Sequence, residues 1–340
     1  MTDVIARLPI VILNIHSRCN CRCAMCDIWK TAECRELPLS FVEHHIEAFV
    51  KLGVRRIVLS GGEPLMHSAL FRMCELARSR GIRATVLTSG LLISRYASEI
   101  VRHVDDLIVS IDGPPEIHDR IRGVAGAFTL IAAGIERLRR ATPASCRCTV
   151  QKANHAALQR TIEAARNAGF SGISFLAADL ASHAFNRPSP WDAERQSRIA
   201  LSIDELPVLR DQIEDVIASG DPFVRDTPAH LRRIVHHFES WLGLRDAVAP
   251  RCNAPWASAV VEADGALRPC FFHPVVAHVH GSFDAALNSR AAVEFRRSLD
   301  VAVNATCRNC VCSLYVNEAD ASAHRATPHG KIEKASQVGA

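Results

Sequence analysis

Between residues 10 and 180 the chain repeats one unit six times, a short β-branched run followed by a longer amphipathic stretch, and few folds accept that pattern. The runs fall at 10–15, 57–59, 84–87, 107–111, 146–150 and 173–177. Strand-like runs separated by helix-length stretches predict parallel βαβ units. The first helical stretch carries boundary signals: Ser40 and Glu43 are spaced as a capping box, Val42, Ile46, Phe49 and Val50 give one apolar face, and Gly53 suits its exit. A later stretch repeats this logic with Leu158, Ile162 and Ala165 on one face and Gly169 at its end. Both an open doubly wound sheet and a barrel fit the alternation. Polar and glycine-rich segments follow the first five runs in turn, at 17–26, 60–64, 88–90, 112–115 and 151–154. Candidate sites at the carboxyl end of strand after strand are the barrel arrangement, whereas an open sheet gathers its site at one switch point.

Of the 340 residues, 48% are hydrophobic and 22% charged, and the net charge is +4, which excludes a disordered chain and gives no sign of a nucleic-acid wrapper. Uninterrupted apolar runs fall far short of the roughly 18 to 20 residues that cross a bilayer, so no membrane span is expected. The run at 8–15 is broken by Pro9 and Asn14 and preceded by Asp3, which reads as a buried strand and not a secretory core. A cytoplasmic protein is the expectation. The count of 13 cysteines then stands out, since in a reducing compartment such residues are more often ligands, catalytic groups or small buried hydrophobes than disulfides.

Cys19, Cys23 and Cys26 have the spacing C-x3-C-x2-C on one loop after the first strand. Four thiolates saturate a cubane 4Fe-4S cluster. Three leave one iron open, and an open position is where a metal site does chemistry. A zinc site completed by Cys21 or His16, or free buried thiols, are the alternatives. After the second run, Gly61 and Gly62 lack β-carbons and let the backbone approach a ligand, and Glu63 brings a carboxylate.

The loop Cys19-Asn20-Cys21-Arg22-Cys23-Ala24-Met25-Cys26, followed by Ser60-Gly61-Gly62-Glu63-Pro64, resembles the radical S-adenosylmethionine (SAM) superfamily. The segment Ser110-Ile111-Asp112-Gly113-Pro114, with His118-Asp119-Arg120 beyond it, is similar to the branch whose members carry a C-terminal SPASM or Twitch domain. The resemblance implies an α/β fold, a partial (β/α)6 TIM-like barrel with a small C-terminal Twitch/SPASM-like domain. It implies that Cys19, Cys23 and Cys26 hold a catalytic 4Fe-4S cluster, and that Gly61, Gly62, Glu63 and Pro64 receive the methionine amino group of SAM. Ser89, Ser110 and Asn154 fall where the family contacts ribose or carboxylate, and Met25 stands where it usually has an aromatic residue near adenine, a place a flexible thioether can fill.

Near the C-terminus, Cys252, Cys270 and the pair Cys307-x2-Cys310 supply four more thiolates, with Cys312 as a substitute or bystander. By resemblance they hold one auxiliary 4Fe-4S cluster of the Twitch kind, and a zinc ribbon is the structural alternative. Cys146 and Cys148 lie on one face of a strand and read as core, as do Cys34 and Cys74. The expected division is a barrel over 1–225, a helical linker over 226–250, the auxiliary domain over 251–316 and a frayed tail over 317–340.

The resemblance further implies a radical SAM oxidoreductase. A donor such as flavodoxin or ferredoxin reduces the first cluster, SAM is cleaved to a 5'-deoxyadenosyl radical, and a substrate hydrogen is abstracted. The auxiliary cluster then accepts an electron, giving net oxidation. With the first strand beginning near residue 10, no N-terminal peptide-recognition domain is expected. A small biosynthetic intermediate is therefore favoured over a peptide or protein substrate, and the loop 179–192, with His183, Asn186, Arg187 and Trp191, is the expected substrate contact. A non-catalytic iron-sulfur or zinc scaffold is the reading from another class.

Overall fold

A computed structural model describes residues 3–138, 141–187 and 190–317; the expected tail lies, from 318 on, outside the described residues. The six predicted runs form strands β1 (Ile10–His16), β2 (Arg56–Gly61), β3 (Arg83–Thr88), β4 (Asp106–Ser110), β5 (Ala144–Val150) and β6 (Ile173–Ala177). They are crossed over by helices α1 (Leu39–Lys51), α2 (Leu70–Ser79), α3 (Ala97–His103), α4 (Pro115–Arg122), α5 (Ala127–Leu138) and α6 (Leu158–Asn167). Neighbouring strands pair in parallel and in sequence order, each new one on the same side of the last. Because parallel crossovers are right-handed, a wind that never reverses carries its helices on one face and leaves the other as a lumen. This is the partial barrel.

The strands show the alternation such a wall requires. In β5, Ala144, Cys146, Cys148 and Val150 are buried, while Ser145, Arg147 and Thr149 between them are half-exposed. The half-exposed set of neighbouring strands, Ser60, Leu87, Ile108, Ser110, Thr149 and Leu176, lines one internal cavity. Period-two alternation thus separates helix-facing from lumen-facing residues.

Helix α1 departs from its predicted start. Its N-cap is Pro38, whose carbonyl accepts from Phe41 N–H at 2.9 Å, so Ser40 is already inside the first turn and the Ser40–Glu43 capping box does not form. Proline has its φ fixed at a value this position uses, and the helix starts without a side-chain cap. Val42, Ile46 and Phe49 are buried as expected, but Val50, at the margin of the stripe, is 42% exposed. His45 fills the face instead, its ring 4.5 Å from Phe41 and 6.1 Å from Phe283.

Beyond β6 come α7 (Ala193–Ile199), α8 (Leu206–Ser219) and α9 (Pro228–Trp241). The cysteine-rich segment then continues the same sheet: β7 (Ser258–Val261) pairs in parallel with the free edge of β1, and β8 (Ala266–Arg268) and β9 (Ala277–His278) follow antiparallel. One apolar core runs from the barrel helices into this segment. Phe49 of α1 meets Phe283 edge-on at 4.8 Å, a contact worth about 0.5 to 1.5 kcal/mol beyond its buried area. No described helix is long and apolar enough to cross a membrane.

Candidate active site

The cysteine loop leaves β1 at its carboxyl end and is held by the end of α4: Arg22 N–H donates to the Arg122 carbonyl at 2.8 Å and Ala24 N–H to that of Ile121 at 3.0 Å. Trp29 Nε1 donates to the Cys23 carbonyl at 3.2 Å. Cys19, Cys23, Cys26 and Met25 line a cavity of about 210 Å³ together with Gly61, Gly62, Ser89 and Ser110. Most of the residues predicted from sequence to handle cluster and cofactor therefore share one wall. Cys21 lies among them, its thiol beside those of Cys19 and Cys23. This sharing of one proton among three thiols raises Cys21, lowers Cys19 and brings Cys23 to about 6, with Arg122 also helping Cys23. Burial, and then the charge of Cys23, pushes Cys26 up to about 12.

Both glycines are dictated by chain crossing. A Cβ on Gly62 would stand 2.0 Å from the Arg18 carbonyl oxygen. One on Gly61, whose φ is +114°, would stand 2.7 Å from that of His16. The bare backbone lets the loop after β2 pack flush against the cysteine loop, where Gly62 N–H donates to His16 O at 2.7 Å and Glu63 N–H to Arg18 O at 2.9 Å.

Glu63, Pro64 and Asn154 do not line this cavity. The Glu63 side chain is fully buried and its carboxylate accepts from Thr88 Oγ1 (2.7 Å), Ser89 N–H (2.7 Å) and Leu65 N–H (2.9 Å). Ser89 Oγ in turn donates to Asn20 Oδ1 at 2.9 Å. One carboxylate thus ties the loops after β2 and β3 to the cysteine loop. Pro64 opens the short 3-10 turn after β2. Asn154 is spent tying the β5–α6 connection to β5 and to the loop after β4: its amide group donates to the carbonyls of Asp112 (2.8 Å) and Thr149 (3.0 Å), and its oxygen accepts from Gln151 N–H (2.8 Å).

Sequence reasoning missed Arg122 and took its partner, Asp112, only as part of the motif after the fourth strand. Arg122 Nη1 donates to Cys23 Sγ at 3.5 Å while its Nε lies 2.6 Å from Asp112 Oδ2, with both side chains buried. Burial drives Asp112 upward and Arg122 draws it back; on Arg122, burial is outweighed by Asp112 and Cys23, which keep the guanidinium charged. A fixed cation against a thiolate sulfur suits an anionic metal-thiolate centre. The donor set itself, three thiols with a bare-backbone wall, fits an iron-sulfur cluster. Arg147 was also missed; it lines the same cavity, as does Asp179, the first residue of the loop expected to meet substrate.

A larger chamber of about 600 Å³ adjoins at Gly61, Gly62, Phe185 and Phe271. Of the loop expected to meet substrate, His183, Asn186 and Arg187 line this chamber. Trp191 does not: it is buried, with its Nε1 on Asp27 Oδ2 at 2.7 Å. Arg187 pairs with Asp179 at 2.6 Å and donates to the Met25 carbonyl at 3.3 Å, so the loop is fastened to the cysteine loop. Residues 188 and 189 of it lie outside the described residues.

The second cysteine group comes from the segment before β7 (Cys252), the segment after β8 (Cys270) and the stretch that carries Cys307 and Cys310. Cys252 lies near enough to Cys270, Cys307 and Cys310 for its charge to raise each of them, after burial, which is the larger cause. Cys270 is pushed to about 12 and Cys307 to about 11. His273 Nε2 lies 3.3 Å from Cys307 Sγ, and Arg233 donates to the Cys310 carbonyl, two neighbours that no local motif announces. Among the described residues, no three His, Cys, Asp or Glu side chains are grouped as ligands of a single metal ion.

A one-directional βα wind with a thiol-lined cavity at its carboxyl ends defines an enzyme barrel built around an iron-sulfur centre. Residues 13–152 match the radical SAM superfamily and 252–311 match the SPASM iron-sulfur cluster-binding domain, so the chain belongs to the radical SAM superfamily. The two domains imply 4Fe-4S clusters, including an auxiliary one. The chain is 32% identical over 194 residues to an AdoMet-dependent heme synthase of Methanosarcina barkeri, covering 55% of this chain and 56% of that protein. It is 29% identical over 168 residues to a PqqA peptide cyclase of Ruegeria pomeroyi, covering 47% and 45%. The match spans about half the length of these relatives. In fold it is similar to SuiB of Streptococcus suis bound to its precursor peptide SuiA (TM-score 0.65, 12% identity, 92% of this chain and 73% of that one). It is also similar to anSMEcpe with bound AdoMet and a peptide (TM-score 0.62, 18% identity, 85% and 82%). At such identities the likeness concerns the fold.

Proposed function

We propose that this protein is a radical SAM oxidoreductase that oxidises or rearranges a small biosynthetic intermediate, with Cys19, Cys23 and Cys26 as ligands of the SAM-binding cluster. The observation that carries the reading is the shared wall: three thiols, the bare Gly61–Gly62 backbone, Ser89 and Ser110 around one cavity at the carboxyl ends of the barrel strands. A 4Fe-4S cluster with one open iron, reduced by one electron, supplies cleavage of SAM to methionine and a 5'-deoxyadenosyl radical that takes a hydrogen atom from the substrate. Gly61 and Gly62 offer backbone groups to SAM, Met25 packs beside it, and Ser89 and Ser110 face it with hydroxyls. Phe185 and Phe271 shield the passage between cavity and chamber from water. A chamber of about 600 Å³ lies within the range of small-molecule pockets, which supports a small substrate.

Glu63 acts in this reading by holding the loops that face SAM. Glu63→Gln turns one acceptor oxygen towards a donor, so it should cost about 1 to 3 kcal/mol of stability and weaken SAM binding by a similar amount, with bound iron unchanged. Thermal unfolding and equilibrium dialysis with SAM check both effects. Unchanged values for stability and affinity would detach Glu63 from the site.

Cys252, Cys270, Cys307 and Cys310 are proposed to hold the auxiliary cluster, which would supply an electron acceptor for the net oxidation. The test of the oxidative reading is the double variant Cys307→Ala, Cys310→Ala. It should retain the first cluster and still form 5'-deoxyadenosine, while the oxidised product falls to background in the same reaction. Full product yield from a variant shown to lack the second cluster would reduce the C-terminal domain to a structural or substrate-binding part.

A further inference from the structure

The cysteine loop has a second side. Cys23 lines the internal cavity and, opposite it, an outer cleft of about 540 Å³ walled by the cysteine loop, the end of α4, the β5–α6 connection and α7. Among the described residues it is the one cysteine that lines both. The inner side adjoins the substrate chamber, so a macromolecule approaches a cluster held here from the outer cleft.

That cleft is cationic, with Arg22, Lys30, Arg120, Arg195 and Arg198 in its wall against the carboxylates Asp192 and Glu194. Lys30 (3.0 Å) and Arg195 (2.5 Å) share Asp27, and Arg198 pairs with Glu194. Arg22 and Arg120 are exposed and have no ion-pair partner among the described residues. Trp29 contributes an aromatic face to the wall and is hydrogen-bonded to the backbone of Cys23. At the base, Gln151 is fully buried, and neither its amide oxygen nor its nitrogen has a partner. An aromatic residue amid arginines, over an unsatisfied amide, is the composition of a recognition surface.

We propose that this cleft is the docking site of an acidic one-electron carrier protein, of the flavodoxin or ferredoxin kind, which reduces the first cluster through the Cys23 side of the loop. The proposal rests on the radical SAM reading above and adds where its electron enters. In the step, one electron leaves the carrier's flavin or iron-sulfur centre and reduces the cluster, with no bond made or broken in this chain. Surface cations act mainly on the association rate and on its salt dependence.

The test uses the full chain with reconstituted clusters and compares the wild type with Arg120→Glu, Arg198→Glu. Cluster reduction is followed by stopped-flow absorbance, once with reduced flavodoxin and once with dithionite, and flavodoxin binding is measured separately by interferometry. The double variant should be reduced by flavodoxin about tenfold more slowly and bind it correspondingly less well, with dithionite reduction and iron content unchanged, and added salt should slow the wild type alone. Flavodoxin rates and binding within about twofold of wild type would overturn the proposal. If the double variant loses iron, Arg198→Glu on α7 is read in the same way. A wild type that binds flavodoxin at this cleft but forms no 5'-deoxyadenosine would refute the radical SAM reading and leave the docking surface standing.

Discussion

Replacing any one of Cys19, Cys23 or Cys26 by alanine is expected to remove about four irons per chain and to abolish SAM cleavage, whereas Cys21→Ala keeps both. The two outcomes differ although all four thiols line one cavity. The C-x3-C-x2-C spacing takes Cys19, Cys23 and Cys26 as the ligand set and leaves Cys21 outside it. Iron and acid-labile sulfide counts on the four anaerobically reconstituted variants decide the matter. Loss of the cluster in Cys21→Ala with retention in one of the others would show that the ligand set is wrong.

The second large effect is expected at Arg122. Arg122→Met removes the partner of a fully buried carboxylate and should destabilise the fold by about 3 to 5 kcal/mol, because Asp112 is left as an uncompensated buried charge. Combining it with Asp112→Asn should restore much of that loss, since the stranded charge is then gone. In both variants Cys23 loses its cationic neighbour, so the reduction potential of the first cluster should fall even where stability has recovered. Denaturant unfolding and potentiometric titration separate the two roles. Equal stability of Arg122→Met and wild type would contradict the buried-pair account.

The strands of the barrel were legible because β-branched runs and their polar ends are local signals, and the cysteine loop was legible because its ligands lie within eight residues of one another. Features made by distant pairing were not. Arg122 and Cys23 are 99 positions apart, and nothing in the run from His118 to Gly123 says that its arginine will point at a thiol. Glu63 read as a ligand group because a carboxylate after two glycines suggests one; its donors Thr88 and Ser89 come from the next strand, 25 and 26 residues on. The pairing of β7 with β1 was equally hidden, since a four-residue strand carries no mark of which edge it will join. The misplaced cap of α1 has a local cause, a proline that starts the helix two residues before the serine that resembles a cap. The loop 179–192 was read as a substrate contact from its polarity, yet Arg187 and Trp191 use theirs to fasten it to the cysteine loop.

The central claim is that the thiol-lined cavity at the strand ends binds an open-iron cluster together with SAM and cleaves SAM reductively. The most direct measurement is 5'-deoxyadenosine formed by the anaerobically reconstituted, dithionite-reduced wild type in the presence of SAM, with iron and sulfide counted in the same sample. The account predicts 5'-deoxyadenosine and methionine in equal amounts, lost together when Cys23 is replaced by alanine. A preparation carrying its full complement of iron and sulfide, yet releasing no 5'-deoxyadenosine, would contradict it.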